Sequence, residues 1–311
     1  MENSKLKFKI QNGKKLKKEL TGLRRNVPLA DYTTLKIGGP AQYFFAAKTK
    51  QDLVKAIKTA KKIKLPFFIL GGGSNLLIAD EGYNGLIIKI QNAKFKMQNE
   101  NSRFKIICEA GTPLPLLASK VVKNNLSGLE WSVGIPGTIG GAIYGNAGAF
   151  GGSMAEVVKS VEVFDIKDLR FKTYDSRDCK FGYRDSIFKK NKNLIILSAI
   201  LELKRDDKRE IENKVKRNLE RRKKSQPLGF PTAGSVFKNP SGVSAGELIE
   251  KCGLKGKRIG NAQISKKHAN FIVNLGNARA KEVISLINLI KRQIKNKHKI
   301  TLKEEIQFLG F

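Results

Sequence analysis

The longest uncharged run of the chain, residues 131–155, limits the possible folds more than any other segment. It is long enough to cross a bilayer as a helix, but eight glycines, Pro136 and Asn146 interrupt it. So much glycine favours tight turns over a regular helix. We therefore predict loop and turn structure here, and no membrane span.

A second glycine segment, residues 70–77, reads LGGGSNLL and follows the apolar run 67–70. Three successive glycines let backbone N–H groups approach an anion without interference from Cβ atoms, and a pyrophosphate is the expected ligand. An isolated GGG is more often an ordinary turn, and the dinucleotide fingerprint GxGxxG is absent. The other segment contains GIPGTIGGAIYGNAGAFGG from Gly134. Two such loops in one domain favour a backbone-mediated grip on a large cofactor.

Hydrophobic spacing predicts mixed helices and strands in the first two thirds of the chain. The predicted helices are 51–64 and 114–124, and the predicted strands are 67–70, 85–90, 104–109, 161–165 and 194–203. This order predicts an α+β domain that ends near residue 204.

The last third predicts a second α/β domain. Its highly charged first segment, 206–225, is typical of a solvent-exposed helix. A short helix at 246–252, a strand at 270–274 and an amphipathic helix around 283–294 are predicted to follow. In a last predicted strand, 300–309, alternation places Glu305 off the more apolar face.

At the other end of the chain, we expect the basic tail before Asn26 to be disordered.

The chain carries 60 Lys and Arg against 27 Asp and Glu, a formal net charge of +33, and 41% of its residues are hydrophobic. A hydrophobic fraction of that size is typical of a folded core, so we expect the charge on the surface. A positive surplus attracts polyanions in general. The lysines are nevertheless spread along the chain without a nucleic-acid-binding motif, so we expect no specific nucleic-acid partner.

Cysteine and histidine are scarce. Three cysteines without a CxxC spacing argue against a disulfide framework, a cysteine zinc site and a dithiol redox centre. With only His268 and His298 present, we expect no metal site and no histidine-dependent catalysis. The basic N-terminus lacks the apolar core that a secretory signal needs, so the cytoplasm is the expected compartment.

Three segments resemble the UDP-N-acetylenolpyruvoylglucosamine reductase family, whose members are also called UDP-N-acetylmuramate dehydrogenases. They are NVPLADYTTLKIGGPA from Asn26, the GGGSNLL loop, and GLEWSVGIPGTIGGAIYGNAGAFG from Gly128. The resemblance extends from about residue 26 to the C-terminus. It implies an α+β fold with a vanillyl-alcohol-oxidase-type FAD-binding domain over 26–204 and a smaller α/β substrate-binding domain over 205–311. A basic N-terminal segment, 1–25, lies outside both.

The resemblance also implies how the chain holds FAD. The GGGSNLL loop would bind the pyrophosphate, and the second glycine segment would run along the cofactor toward the isoalloxazine. The implied FAD-binding residues are Thr34, Gly71, Gly72, Gly73, Ser74, Asn75, Leu76, Gly134, Ile135, Pro136, Gly137, Thr138, Gly140, Gly141, Asn146, Ala147 and Gly148.

Three further motifs resemble the catalytic positions of the family: FGYRDSIFK, PTAGSVFKNP and LKEEIQFLG. They imply Arg184 as the electrostatic stabiliser, Ser235 as the proton donor and Glu305 as a hydrogen-bond partner of the substrate carboxylate. Taken singly, each residue has an ordinary structural interpretation as a surface cation, a turn residue or a solvated carboxylate. The residues implied to hold the substrate are Tyr183, Lys238 and Asn239.

The reaction that the resemblance implies uses NADPH to reduce FAD. Hydride then passes to the enolpyruvyl methylene carbon of UDP-N-acetylglucosamine enolpyruvate and gives UDP-N-acetylmuramate, a precursor of bacterial peptidoglycan. Negative charge would develop on the adjacent carbon and carboxylate, and a fixed guanidinium stabilises such charge.

Two details refine the resemblance. The interval between Phe188 and the segment RRKKSQP is too short for the extra tyrosine-bearing loop of the longer enzymes, so the chain resembles the shorter subtype. The last motif reads LKEEI where the family usually has LEPEV, so Glu304 stands at the position of a proline. The sequence predicts neither the oligomeric state, nor a preference between NADPH and NADH, nor the protonation state of Glu305.

Two other functions remain open at this point. A different flavin oxidoreductase of the same superfamily, acting on an alcohol or an aldonolactone, would share the FAD domain but not the C-terminal motifs. A basic nucleic-acid-binding protein would use the glycine loops only as turns and would be colourless when purified.

Overall fold

The computed structural model describes residues 13–100 and 103–311. The strands are β1 (Arg24–Pro28), β2 (Pro40–Ala47), β3 (Phe67–Leu70), β4 (Leu76–Ile78), β5 (Tyr83–Ile90), β6 (Phe95–Glu100), β7 (Arg103–Glu109), β8 (Leu126–Ser127), β9 (Gly148–Ala149), β10 (Gly152–Ser153), β11 (Val158–Asp165), β12 (Arg170–Asp175), β13 (Leu194–Arg205), β14 (Thr232–Ser235), β15 (Arg258–Ile259), β16 (Ala262–Ile264), β17 (Phe271–Asn274) and β18 (Gln307–Leu309). The helices are α1 (13–19), α2 (Lys50–Lys62), α3 (Leu114–Lys123), α4 (Ile139–Tyr144), α5 (Met154–Val157), α6 (Ile187–Lys190), α7 (Lys208–Ser225), α8 (Ala245–Lys251) and α9 (Ala280–His298). Two 3₁₀ turns cover Ala30–Tyr32 and Glu130–Ser132.

Hydrophobic spacing located the longer elements correctly, and local caps set their ends. The predicted helix 51–64 is α2, which starts one residue earlier because Thr49 caps it. The Thr49 hydroxyl accepts a hydrogen bond from the N–H of Asp52 at 3.0 Å, and the Asp52 carboxylate accepts one from the N–H of Thr49 at 3.0 Å. This reciprocal capping box fixes the first turn of the helix.

The chain forms two compact units. The first comprises the described residues among 13–27, Gln42–Gly72 and Asn84–Asn218. The second comprises Pro28–Ala41, Gly73–Tyr83 and Leu219–Phe311. The second unit therefore includes two segments, Pro28–Ala41 and Gly73–Tyr83, that the predicted domain boundary between residues 204 and 205 places in the FAD-binding domain. One reason is that β4 pairs in parallel with β18, with Leu76 opposite Gln307.

The first unit contains two larger sheets and the short antiparallel pair β9 and β10. One has the strand order β1-β2-β5-β3, in which β3 and β5 run parallel with Leu70 opposite Lys89. The other has the order β12-β11-β13-β7-β6, with β8 also paired to β13, and its pairs are antiparallel. Leu53 and Ile57 of α2 and Leu117 of α3 are fully buried in the same hydrophobic core. Burial of these apolar faces is the main stabilising contribution to this unit.

The second unit combines an antiparallel sheet of order β14-β17-β16-β15 with the parallel pair β18 and β4. The predicted amphipathic helix is α9, whose apolar face enters the core. The Asp80 carboxylate accepts hydrogen bonds from the N–H groups of Ala280 at 2.8 Å and Lys281 at 3.2 Å. A carboxylate at this position satisfies two otherwise unpaired donors and the positive end of the helix dipole.

The prediction of loop and turn over residues 131–155 is wrong for α4. The Thr138 hydroxyl caps this helix by accepting a hydrogen bond from the N–H of Gly141 at 3.4 Å. A Cβ atom at Gly140 would lie 2.9 Å from the Cβ of Ala110, so glycine allows the helix to pack closely. Tertiary packing thus overrides the low helix propensity of glycine. No helix among the described residues is long and apolar enough to cross a membrane.

Two predictions at the chain ends are also wrong. The last strand covers only β18, and within it Phe308 is exposed while Leu309 is buried, the reverse of the predicted alternation. Pairing with β4, and not the hydrophobic pattern, sets this register. In the basic tail, residues 13–19 are helical, with Leu16 and Leu20 buried, so disorder is wrong there. Residues 1–12 of the tail lie outside the described residues.

Candidate active site

The two glycine segments lie close together in the first unit. A Cβ atom at Gly72 would lie 2.6 Å from the Cα of Gly137, and one at Gly71 would lie 2.8 Å from the Oγ1 of Thr138. Both distances are shorter than ordinary Cβ contacts. A side chain at position 72 would therefore push two backbone segments apart, and the approach of the two bends depends on glycine.

The first bend presents backbone donors. Within residues 13–100 and 103–311, none of the N–H groups of residues 71–75 donates a hydrogen bond. Gly73 has a φ of 64°, and its Cβ atom would lie 1.9 Å from the carbonyl oxygen of Tyr32, so only glycine fits there. Successive N–H donors in a glycine turn are typical of concave anion-binding sites. The bend therefore fits the diphosphate of a dinucleotide such as FAD.

Thr34 connects this bend to the strand that carries Ser235. The Thr34 N–H donates to the carbonyl oxygen of Gly73 at 3.1 Å. On its other side, the Thr34 hydroxyl donates to the carbonyl oxygen of Thr232 at 2.7 Å, and the Thr232 N–H donates to the carbonyl oxygen of Thr34 at 3.1 Å. Thr34 thus fixes the position of β14 relative to Gly73 within the second unit.

Ser235 lies at an irregularity of β14. It is opposite Phe271 of β17, but the register shifts between Thr232 and Ser235. Gly234, just before the serine, has a φ of 81°. A bulge of this kind redirects the following side chain and is common beside active sites. The local backbone therefore sets the direction of the partly buried Ser235 side chain.

Glu305 lies beside the same strand. Its N–H donates to the carbonyl oxygen of Val236 at 2.8 Å, and its carbonyl oxygen accepts from the Nδ2 of Asn75 at 3.1 Å. The backbone of the second unit thus brings Glu305, Val236 and Asn75 together. Glu304, at the position of the family's proline, forms an antiparallel β-bridge through its backbone with Phe237. Its carboxylate forms a 2.7 Å ion pair with Lys291. The segment is anchored without that proline.

Arg184 lies on a tight turn of the first unit. Gly182 and Asp185 exchange two backbone hydrogen bonds across the turn, at 3.0 and 3.2 Å. Arg184 has a φ of 53°, in the left-handed region. Its Nη2 atom donates to the carbonyl oxygen of Gly148 at 2.8 Å. A non-glycine residue in this conformation costs free energy and persists where its surroundings fix it, which is frequent at functional sites.

Asn146 and Ser186 fix the same turn to the second glycine segment. The Asn146 Nδ2 donates to the carbonyl oxygen of Gly182 at 2.8 Å, and its Oδ1 accepts from the N–H of Ala155 at 3.0 Å. The Ser186 hydroxyl donates to the carbonyl oxygen of Tyr144 at 2.7 Å. The position of Arg184 therefore depends on the glycine segment and not on its own loop alone.

The predicted substrate-binding residues differ in their surroundings. Tyr183 is 56% exposed, and the Arg184 guanidinium lies 5.4 Å from its ring centroid. The N–H of Lys238 donates to the carbonyl oxygen of Lys303 at 2.9 Å, beside Glu304. The Asn239 Oδ1 accepts from the N–H of Ala245 at 3.0 Å, so it also stabilises the turn into α8.

The other predicted FAD-binding residues occupy several environments. Leu76 is buried in β4, and Gly140 and Gly141 lie within α4. Gly134 and Pro136 are exposed just before Gly137. Ser74, Ile135 and Ala147 are partly buried. The described residues contain no cluster of His, Cys, Asp and Glu that could hold a metal ion.

Lys89 also lies beside the first bend, and no motif in the sequence points to it. It belongs to β5, and its Nζ donates to the carbonyl oxygen of Gly71. Burial lowers the pKa of this ammonium group. The available signal was a single charge within the apolar run LIIKI.

Comparisons with known proteins agree with this geometry. The FAD binding domain family matches residues 41–168, and the family described as UDP-N-acetylenolpyruvoylglucosamine reductase, C-terminal domain, matches residues 226–309. A UDP-N-acetylenolpyruvoylglucosamine reductase of Caldanaerobacter subterraneus subsp. tengcongensis is 41% identical over 92% of this chain and 93% of its own length. The Bacillus subtilis (strain 168) protein of that name is 39% identical over 94% of this chain and 96% of its own length.

A solved structure of a protein with a similar name also matches most of the chain. UDP-N-acetylenolpyruvylglucosamine reductase from Thermus caldophilus matches with a TM-score of 0.79 and 38% identity, covering 93% of this chain and 100% of that chain. Both the FAD-binding and the C-terminal parts are thus matched in one protein. The chain belongs to the UDP-N-acetylenolpyruvoylglucosamine reductase family.

Proposed function

We propose that this chain reduces UDP-N-acetylglucosamine enolpyruvate to UDP-N-acetylmuramate, with FAD as cofactor and NADPH as reductant. The observation that carries the proposal is the match to reductases of this name over more than nine tenths of the chain. The fold supports it, because Gly71 and Gly72 of the first bend lie against the second glycine segment at 137–138, as expected if both segments hold one dinucleotide. The reaction would serve bacterial peptidoglycan synthesis in the cytoplasm.

The N–H groups of the bend at Gly71, Gly72, Gly73, Ser74 and Asn75 bind the FAD diphosphate in this proposal. Backbone donors suit a diphosphate because they are fixed before binding and lose little conformational entropy. Thr34 and the second glycine segment hold the remainder of the cofactor. When bound, FAD supplies the hydride-transfer chemistry between NADPH and the enolpyruvyl group.

Arg184 stabilises the negative charge that develops on the substrate carboxylate and its neighbouring carbon. A guanidinium is planar and always charged, so it can meet a carboxylate with two parallel hydrogen bonds. The bond to Gly148 restricts the guanidinium before substrate arrives. Restriction of this kind lowers the cost of aligning the charge in the transition state.

Ser235 donates a proton to the carbon that carries this negative charge, and solvent then returns a proton to the serine oxygen. A hydroxyl is a weak acid in water, but a carbanionic carbon is far more basic. The bulge at Gly234 supports the role, because it sets the direction of the serine side chain.

In this proposal Glu305 is protonated and donates a hydrogen bond to the substrate carboxylate, which helps to orient it. Its backbone bonds to Val236 and Asn75 support the role, because they hold it next to the segment that carries the proton donor. The proposed substrate-binding residues are Tyr183, Lys238 and Asn239.

The test uses purified protein supplied with FAD. NADPH oxidation is followed with the enolpyruvyl UDP sugar and, as a matched control, with UDP-N-acetylglucosamine, which lacks the double bond. The proposal expects oxidation only with the enolpyruvyl sugar, and a product two hydrogens heavier by mass spectrometry. A protein that binds no flavin, or that oxidises NADPH equally with both sugars, overturns the proposal.

A further inference from the structure

The carboxyl end of the parallel pair β3 and β5 places a cation at the first glycine bend. Gly71 directly follows β3, and Lys89 lies opposite Leu70 in the neighbouring strand. Because parallel strands end at the same edge of a sheet, the Lys89 side chain reaches the bend and donates to the carbonyl oxygen of Gly71.

This ammonium has an incomplete set of partners. Among the described residues no carboxylate forms an ion pair with Lys89, and the carbonyl of Gly71 is its hydrogen-bond acceptor. An ammonium carries three donors, so one carbonyl uses a third of them. The side chain is half-buried and burial lowers its pKa, so the ammonium is partly desolvated and has no neutralising carboxylate among the described residues. Such a charge is destabilising unless an anion pairs with it.

We propose that Lys89 binds the diphosphate of FAD, and that its bond to the Gly71 carbonyl holds the N–H groups of the bend toward the same anion. The inference rests on the proposed function, since it takes the bend at residues 71–75 as the diphosphate site. It adds a side-chain charge to a site that otherwise consists of backbone donors. FAD affinity therefore depends on ionic strength in a way that backbone dipoles alone do not produce.

The test measures the dissociation constant of FAD from apoprotein by flavin fluorescence over a range of salt concentrations. Lys89→Met removes both charge and donor, Lys89→Gln keeps a donor and removes the charge, and Lys89→Arg keeps both. Lys61→Met is the matched control, because Lys61 also donates to a backbone carbonyl, that of Ile166, but is exposed on α2.

We expect Lys89→Met to weaken FAD binding about 10- to 100-fold, the usual effect of losing a charged hydrogen bond. Lys89→Gln should reduce the salt dependence as much as Lys89→Met does, Lys89→Arg should retain most of the affinity, and Lys61→Met should match the wild type. ADP, which carries the diphosphate, should compete with FAD less well in Lys89→Met. If Lys89→Met does not fold, the salt dependence of Lys89→Gln decides.

Three results overturn the inference: an unchanged FAD affinity in Lys89→Met, an unchanged salt dependence in Lys89→Gln, or an equal loss in Lys61→Met. A purely structural role would lower the melting temperature of the apoprotein and leave the salt dependence unchanged. These results are distinct from failure of the proposed function, in which the wild type itself would bind no FAD or would not reduce the enolpyruvyl sugar.

Discussion

The Nη2 atom of Arg184 donates a hydrogen bond to the carbonyl oxygen of Gly148 at 2.8 Å. This bond joins the turn that carries the guanidinium to the end of the second glycine segment. Asn146 adds a second bond to the same turn, at Gly182. The cation that we assign to transition-state stabilisation is thus positioned by the segment that we assign to the cofactor.

Arg184→Lys tests the planar guanidinium. A lysine keeps the charge but cannot bond Gly148 and a carboxylate with the same fixed geometry. We expect unchanged FAD content and a fall in kcat of roughly 100- to 1000-fold, typical of losing one group that stabilises transition-state charge. The steady-state rate of NADPH oxidation checks this. Arg170→Lys, on an exposed strand, is the control, and full activity in Arg184→Lys would remove the guanidinium from the mechanism.

Ser235→Ala separates the two halves of the reaction. Since Ser235 is proposed only to protonate the substrate, reduction of the flavin by NADPH should proceed at the wild-type rate. Reoxidation by the enolpyruvyl sugar should slow by roughly 100-fold or more. Stopped-flow absorbance of the flavin measures both steps, with the exposed Ser241→Ala as control. Equal reoxidation rates in Ser235→Ala and the wild type would show that another group supplies the proton.

Gly72→Ala tests the close approach of the two bends. The new Cβ atom would lie 2.6 Å from the Cα of Gly137, where neither backbone can move aside easily. We expect the free energy of unfolding to fall by roughly 1–3 kcal/mol, a common cost of overpacking, and FAD content to fall with it. Denaturant unfolding and the ratio of flavin to protein measure the two effects.

The control for this substitution is Gly229→Ala, because nothing lies within 4 Å of a Cβ atom at Gly229. Its stability and FAD content should equal those of the wild type. Wild-type FAD content in Gly72→Ala would mean that the contact with Gly137 does not shape the cofactor site.

The lowered pKa of the Asp165 carboxyl makes the stability of the fold depend on pH. A hydrogen bond from Lys172 Nζ at 2.6 Å, together with the N–H of Lys167, lowers the pKa of the Asp165 carboxyl below its ordinary value of about 3.9. Ionised Asp165 therefore stabilises the folded state at any pH above the pKa that this carboxyl has in the unfolded chain. The stabilisation is lost as the pH falls through the lower pKa that the carboxyl has in the folded state. Asp165→Asn should lower the melting temperature at neutral pH, and the difference from the wild type should shrink below about pH 4.

Asp168→Asn is the control, because Asp168 pairs with the same Lys172 but is far more exposed. Calorimetry at neutral and acidic pH should show a smaller effect for this variant. If Asp165→Asn lowers the melting temperature by the same amount at both pH values, ionised Asp165 is not the source of the stabilisation.

The sequence predicts the fold best where local signals are strong. β3 has the predicted ends, and α2 and α9 have long apolar faces with identifiable caps. The helix α4 was missed because its stability depends on the packing of Gly140 against Ala110, which no local pattern reveals. The pairing of β4 with β18 was missed because it joins segments more than 200 residues apart in sequence.

The glycine content of the two segments favoured a shared grip on a large cofactor, and their close approach is seen only in the structure. The proposed roles of Arg184, Ser235 and Glu305 came from resemblance to a family, since each residue alone is ordinary by composition and spacing. Lys89 was missed because a lysine within an apolar strand becomes informative only when the neighbouring strand is known.

The most direct test mixes the FAD-loaded protein anaerobically with one equivalent of NADPH and follows the flavin absorbance, then adds the enolpyruvyl UDP sugar. We predict that the absorbance bleaches with NADPH and returns in full when one equivalent of the sugar is added, while UDP-N-acetylglucosamine leaves it bleached. A flavin that NADPH does not bleach, or a bleached flavin that the enolpyruvyl sugar does not restore, would contradict the proposed reaction.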